Sequence, residues 1–141
     1  MAILTPTLTL NSINISTSEQ LNLTLTDSLT VDGPVITKRV TITHGEAELF
    51  TNQLILDASS YTKSYVLLYN TSSASSGEII TLGLTDNDNV DDNVLEQKII
   101  QLAPGEFAFF PWNAVDASSD MVAAASSGAP LLEIRIFQSA S

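Results

Sequence analysis

Apolar and polar residues alternate with a period of two near the start of the chain. In Thr7–Leu10 and again in Leu21–Thr26, leucines take every second position, and threonine or asparagine stands between them. Successive side chains of a strand point to opposite faces, so this pattern predicts half-buried antiparallel strands. Residues 5–31 contain no Lys or Arg to protect a sheet edge, and we expect these strands to pair within the domain or with a neighbouring subunit.

The rest of the chain contains further runs that are typical of strands. Ser64–Asn70 is almost continuously apolar, which predicts a core strand buried on both sides. Glu106–Phe110 predicts a strand that stops at Pro111, with its phenylalanines in the core. Met121–Ala125 fits either one helical turn or a strand edge. The other predicted strands are Val35–Thr43, Glu46–Leu56, Glu78–Leu84, Val94–Leu102 and Leu131–Gln138.

The spacing of these runs and of the turn residues between them predicts the fold class. Ala103-Pro104-Gly105 is typical of a type II turn, because proline fixes φ and glycine accepts a positive φ. About eight to ten short strands with turns at close spacing indicate an all-β antiparallel β-sandwich or jelly-roll-like fold. We expect residues 1–141 to form a single domain, in which residues 1–31 are a strand arm that pairs with a neighbouring subunit.

Charge and composition narrow the functions that the chain can have. Seventeen serines and fifteen threonines supply much of the polar surface, and sixteen acidic residues against five basic ones give a net charge of −11. Nucleic-acid binding and attachment to anionic membranes both need clustered Lys and Arg, so neither is expected. The absence of cysteine excludes disulfides and thiolate sites. The first residues lack the pattern of a secretion signal, and we expect no export.

Catalytic motifs are missing from the sequence. His44 is the only histidine. It could act as a general base, but a histidine beside a glycine at a strand end is typical of a solvent-facing turn. The chain has neither a G-x-S-x-G elbow nor an H-E-x-x-H pair. Pairs of carboxylates occur, but the aromatic residues that would line a sugar cleft are few. We therefore expect the protein not to be an enzyme.

The acidic segment Asp86–Asn93 (DNDNVDDN) is the strongest local candidate for a ligand site. Its closely spaced side-chain oxygens can coordinate a hard cation such as calcium, with Asp86, Asp88 and Asp91 as the ligands. It lacks the glycine and glutamate of an EF-hand loop, and Asp and Asn are also ordinary turn residues, so a plain solvated loop is the alternative. Apart from this calcium, no cofactor is expected.

Trp112, at the exit of a predicted strand, is the other candidate. It can be an exposed binding aromatic, or it can cap the core of the sandwich.

The order of segments between residues 61 and 138 resembles small virion structural proteins of tailed bacteriophages, including capsid decoration (cement) proteins. The segments that carry the resemblance are YVLLYNT at 65–71, IITLGL at 79–84, LAPGEFAFFP at 102–111 and LLEIRIF at 131–137. The resemblance implies a non-enzymatic protein of the virion that stabilises the head by binding the major capsid protein or other virion proteins. It also implies a homo-oligomer, either a trimer or a dimer, because capsids are built by symmetry.

An alternative from another class stays open. The chain could be a receptor-binding or carbohydrate-binding β-sandwich module of a fibre or tail. Such a module would use Trp112, the tyrosines and calcium on the acidic segment.

Overall fold

The structure is a computed structural model. The described residues are 2–12, 21–32, 35–44, 53–57, 63–84, 97–113 and 120–139. The chain divides into two compact units, one formed by Met1–Gly33 with Ser139–Ser141 and the other by Pro34–Gln138. The described part is all-β and its sheets are antiparallel, which confirms the predicted fold class.

The described residues of the first unit form four strands in two small sheets. Its strands are β1 (Ala2–Leu4), β2 (Thr7–Ser12), β3 (Leu21–Thr26) and β4 (Leu29–Val31). Strand β1 pairs with β4, and β2 pairs with β3. These strands therefore pair within the chain, whereas pairing with a neighbouring subunit stays a prediction.

Burial in the β2–β3 sheet differs from the expectation. Four leucines lie opposite one another on a single face, and each of them is exposed: Leu8, Leu10, Leu23 and Leu25. The period-two pattern correctly separates leucine from threonine, but the prediction of half-buried strands is wrong here. A two-stranded sheet has no second layer of its own, so alternation alone does not bury either face.

The described residues of the second unit form eight strands. They are β5 (Ile36–Thr41), β6 (Gln53–Leu56), β7 (Lys63–Asn70), β8 (Ile80–Leu84), β9 (Gln97–Leu102), β10 (Phe107–Asn113), β11 (Met121–Ala125) and β12 (Leu131–Gln138). One sheet has the order β10-β7-β12-β5 and the other has the order β6-β11-β8-β9.

The pairing in this unit is that of a jelly roll. The first strand pairs with the eighth, the second with the seventh, the third with the sixth and the fourth with the fifth. The chain thus forms one long antiparallel hairpin that is rolled up so that β7 also pairs with β12, and β8 with β11. Eight strands in two sheets with this winding define the jelly roll, which is the architecture that the strand spacing indicates.

Side chains from both sheets form one core between them. Val66 and Leu68 of β7 and Ile134 of β12 are fully buried and pack with Leu82 of β8 and Ala123 of β11. Removing such side chains from water is the main favourable contribution to folding.

Two strands differ from the expectation in the way they are buried. Ser64–Asn70 is not buried on both sides, because only alternate residues of β7 face the core and Tyr69 is exposed. Met121–Ala125 is neither a helical turn nor a strand edge. It forms β11, an inner strand of its sheet whose five residues are all buried. Ala123 and Ala125 face the core between the two sheets, whereas Val122 and Ala124 form a separate buried cluster on the other side of the strand.

The strand that contains the phenylalanines differs in length and in orientation. Pro111 does not end β10, which continues to Asn113. Strand β10 lies at the edge of its sheet, where a residue without an N–H group costs no ladder hydrogen bond. Phe107 and Phe109 point away from the core, and only Phe110 packs against it.

A turn and a buried amide hold the end of β7 in place. Gly105 has a φ of 80°, and the N–H of Glu106 donates to the carbonyl of Ala103 at 3.0 Å, which confirms the type II turn. The Nδ2 of Asn70 donates to the carbonyl oxygens of Glu78 and Leu102 at 2.9 and 3.0 Å. This fully buried asparagine therefore links strand β7 to the opposite sheet.

Candidate interaction surface

The outer side of the β10-β7-β12-β5 sheet carries the most distinctive surface of the described chain. Alternation turns every second residue of these strands away from the core, and the strand register aligns those residues in rows. We call this surface the aromatic face, and its described members are Phe107, Phe109, Pro111, Asn113, Lys63, Tyr65, Leu67, Tyr69, Leu131, Glu133, Arg135, Phe137, Thr37, Arg39 and Thr41.

Aromatic side chains occupy the half of this face that β10 and β7 form. Phe107 lies opposite Tyr69, and these side chains are 67% and 38% exposed. Phe109 is 41% exposed and stacks on Tyr65, with ring centroids 5.3 Å apart and ring planes 4° from parallel. Such stacking fixes the ring orientations, so the aromatic surface is organised before any partner arrives.

Charged side chains occupy the half of the face that β12 and β5 form. The Nε and Nη2 atoms of Arg135 donate to one carboxylate oxygen of Glu133 at 3.0 and 2.8 Å. The other oxygen of Glu133 lies 3.4 Å from Nη2 of Arg39, which is directly opposite on β5. One carboxylate therefore holds two guanidinium groups close to the surface of the sheet.

The ionisation of Glu133 reflects these neighbours. Hydrogen bonds from Arg135 lower the pKa of the Glu133 carboxyl below its usual value, and the positive charges of Arg135 and Arg39 act in the same direction. Partial desolvation raises this pKa but does not offset the arginines. Glu133 is therefore ionised at neutral pH.

The charge of the aromatic face is opposite in sign to that of the whole chain. At its described positions the face carries Lys63, Arg135 and Arg39, which are three of the five basic residues, but only one of the sixteen acidic residues. The rest of the chain keeps two basic residues and fifteen acidic ones. Among the described residues, positive charge therefore predominates on this face and negative charge elsewhere.

Exposed aromatic rings next to arginines are characteristic of surfaces that bind proteins. Trp, Tyr, Phe and Arg are enriched at protein interfaces, and they dominate the residues whose truncation weakens binding most. Their ring faces provide apolar area at a low cost in side-chain entropy, and guanidinium groups pair with carboxylates in a fixed geometry.

The candidate residues from the sequence have different positions in the structure. Trp112 belongs to the core cluster and is only 8% exposed, so it caps the sandwich and is not a binding aromatic. His44 is exposed, and its Nδ1 lies 3.0 Å from the carbonyl oxygen of Ala125, a backbone atom.

The predicted calcium ligands Asp86, Asp88 and Asp91 lie outside the described residues, so this site stays a prediction. Within the described ranges, no group of three or more His, Cys, Asp or Glu side chains is arranged to hold a metal ion. The same part of the chain contains no helix that is both long and apolar enough to cross a membrane.

Sequence reasoning missed the aromatic face because it assigned Phe107 and Phe109 to the core. A usable signal was present, since Pro111 marks β10 as an edge strand. Residues two positions apart share a face, so Pro111 groups with Phe107 and Phe109 and not with the buried Trp112.

Comparisons with protein-family models, with curated proteins and with solved structures found no match for this chain.

Proposed function

We propose that this protein is a non-enzymatic structural component of a tailed-bacteriophage virion, namely a capsid decoration protein that stabilises the head by binding the major capsid protein. The resemblance of residues 61–138 to such proteins supports the assignment to a virion. The jelly roll is compatible with it, because this architecture recurs in viral capsid proteins. Since lectins and cupins use the same architecture, the proposal depends on the surface of the protein and not on its fold alone.

The aromatic face is the observation that carries the proposal. It presents Phe107, Phe109 and Tyr69 on a regular sheet, so the contact residues are held by backbone hydrogen bonds and not by a loop. Binding that buries these rings gains apolar area without ordering a flexible segment. A rigid, flat surface of this kind is suited to stabilising a shell by covering several neighbouring subunits.

The test is binding to capsid shells that lack this protein, prepared from the phage that encodes it. We expect the wild-type chain to co-sediment with the shells and to raise their disassembly temperature. The double variant Phe107→Ser, Phe109→Ser should lose both effects, because it removes the most exposed rings of the aromatic face.

Ile99→Ser provides the control for this experiment. Ile99 is also an exposed apolar residue, but it lies in β9 of the other sheet. This variant should bind as the wild type does. Shells that ignore the wild-type chain, or that bind the double variant equally well, would contradict attachment through the aromatic face.

A carbohydrate-binding or receptor-binding module is the second candidate, and one observation favours it. The stacked Tyr65–Phe109 pair beside Phe107 offers ring faces on which a sugar could stack. Trp112 cannot take part because it is buried. Selective retention of wild-type protein on a glycan array, lost in the Phe107→Ser, Phe109→Ser variant, would favour this function over capsid decoration.

A further inference from the structure

The aromatic face carries its most exposed rings on one side and its two arginines on the other. Phe107 and Phe109 lie on the edge strand β10, whereas Arg135 and Arg39 lie on β12 and β5 at the other side of the same sheet. A partner that covers the whole face must therefore offer apolar area in one half and negative charge in the other.

The local charge of this face outweighs the net charge of the chain at short range. Four strands spaced about 4.8 Å apart make a surface about 14 Å wide. At physiological ionic strength the Debye length is about 8 Å, so acidic residues far from the face are largely screened there. Among the described residues, the charged members of the face that a partner meets are Arg39, Arg135, Lys63 and Glu133.

The arrangement around Glu133 keeps the two guanidinium groups available for a second carboxylate. Glu133 takes two N–H groups of Arg135, and a guanidinium has five. Arg39 and Arg135 are both well exposed, while the Glu133 side chain is largely covered. An incoming carboxylate would therefore meet two exposed cations, and with the ionised Glu133 between them the cluster keeps one net positive charge.

A second copy of the chain is the less favoured partner of this face. The described face has a net positive charge, so contact between two copies would bring net positive charge together, and like charges across an interface disfavour binding. A surface with negative charge is complementary to the face.

We propose that the aromatic face binds an acidic protein surface, in which an apolar patch seats against Phe107 and Phe109 and carboxylates pair with Arg39 and Arg135. This inference rests on the proposed function and specifies the partner as the acidic part of a capsid subunit. Electrostatic attraction would guide the encounter, and burial of the rings would hold the complex.

The first test uses a synthetic peptide of alternating Glu and Leu as the probe, titrated at 0.15 M salt into the isotope-labelled full chain. We expect the amide signals that shift to belong to β5, β7, β10 and β12. The double variant Arg39→Gln, Arg135→Gln should weaken binding about tenfold, which corresponds to about 1.4 kcal/mol.

Lys98→Gln is the control for loss of positive charge. Lys98 is exposed on β9 in the other sheet, and its removal changes the net charge without touching the aromatic face. We expect the affinity of this variant to equal that of the wild type. Signal shifts centred on other strands, or equal weakening by Lys98→Gln, would overturn the inference.

The second test separates this inference from the proposed function. If capsid shells bind the wild type and the Arg39→Gln, Arg135→Gln variant equally well, the proposed function is supported and the inference of an acidic partner is wrong. If the variant no longer binds the peptide but the wild type does not bind the shells, the inference of an acidic partner is supported and the proposal of capsid decoration is wrong. A wild-type oligomer that dissociates in the same variant would place a second copy on the face and overturn the inference.

Discussion

Strands β3 and β12 follow the same sequence pattern but reach opposite outcomes. In β3, LNLTLT places Leu23 and Leu25 on one face, and both remain exposed. In β12, LLEIRIFQ places Leu132, Ile134 and Ile136 on one face, and all three are fully buried. Alternation therefore determines which side chains share a face, whereas their burial depends on whether a second layer covers that face.

The difference has a physical origin in the number of layers. The inner face of β12 meets side chains of the β6-β11-β8-β9 sheet across the core. The β2–β3 sheet has two strands, and its leucines remain exposed. Since the hydrophobic contribution follows the apolar area removed from water, equal residues contribute unequally to stability.

The largest expected difference in stability is between truncation of an aliphatic residue in β12 and truncation of one in the β2–β3 sheet. Ile134→Ala should lower the free energy of unfolding by about 2–5 kcal/mol, because it leaves a cavity in the core. Leu10→Ala removes an exposed side chain and should change it by less than about 0.5 kcal/mol. Urea unfolding of both variants measures the difference. Equal losses in the free energy of unfolding would mean that the leucines of the β2–β3 sheet are covered within the folded chain.

A buried and an exposed asparagine should differ in the same way, with a smaller change in the free energy of unfolding. Asn70→Ala should cost about 1–3 kcal/mol, because it leaves the buried carbonyl of Leu102 without its donor. Asn22→Ala, on an exposed position of β3, should change stability by less than about 0.5 kcal/mol. The same unfolding experiment applies to both variants. A neutral Asn70→Ala would show that the amide does not hold the two sheets of the jelly roll together.

A smaller and pH-dependent effect is expected at Glu133 on the outer side of β12. Its pKa is lowered in the folded chain by Arg135 and Arg39, so its ion pairs stabilise the fold above the usual glutamate pKa of about 4.3. This contribution is lost as the pH falls through the lowered pKa. Glu133→Gln should therefore melt below the wild type at pH 7, and the two melting temperatures should converge in acid. A gap that widens in acid would contradict this.

The smallest effect on stability is expected for the exposed leucines of the β2–β3 sheet. For these residues the informative measurement is the mass of the protein in solution. Leu8→Ser with Leu25→Ser removes side chains that are 51% and 56% exposed, and the unfolding transition should hardly move. If the predicted homo-oligomer pairs through the N-terminal strands, light scattering should show this variant at the monomer mass of 15.1 kDa. An oligomer of unchanged mass would contradict the strand-arm hypothesis for residues 1–31.

The sequence predicts local features of this fold well. The strand at Leu131–Gln138, the division of its faces and the turn at Ala103–Glu106 all follow from residue types that act over a few positions. The buried β11 could not be assigned in this way, because the alanines of Met121–Ala125 suit several local structures. Their position depends on the pairing of β11 between β6 and β8, which the local sequence does not show.

The candidate surface depends on non-local pairing and was therefore harder to predict. Arg39 and Glu133 are far apart in the chain, and only the register of β5 with β12 brings them together. The exposed position of Phe107 depends on β10 being an edge strand. Both features arise from the order of strands in the sheet, which no single segment of the sequence encodes.

The winding of the jelly roll also bears on when the protein can fold. Strand β12 is the last of the eight to be synthesised, yet it lies between β7 and β5 in its sheet. Ile36 pairs with Ile136, which lies one hundred residues later in the chain. At about 5–20 residues per second, the ribosome needs about 5–20 s to translate the segment between them. The sheet therefore closes only after β12 has left the ribosome, and pairing over such separations is slow. During that interval β5 and β7 lack their shared neighbour, and a ribosome that stalls before Leu131 would release a chain with two unpaired strand edges.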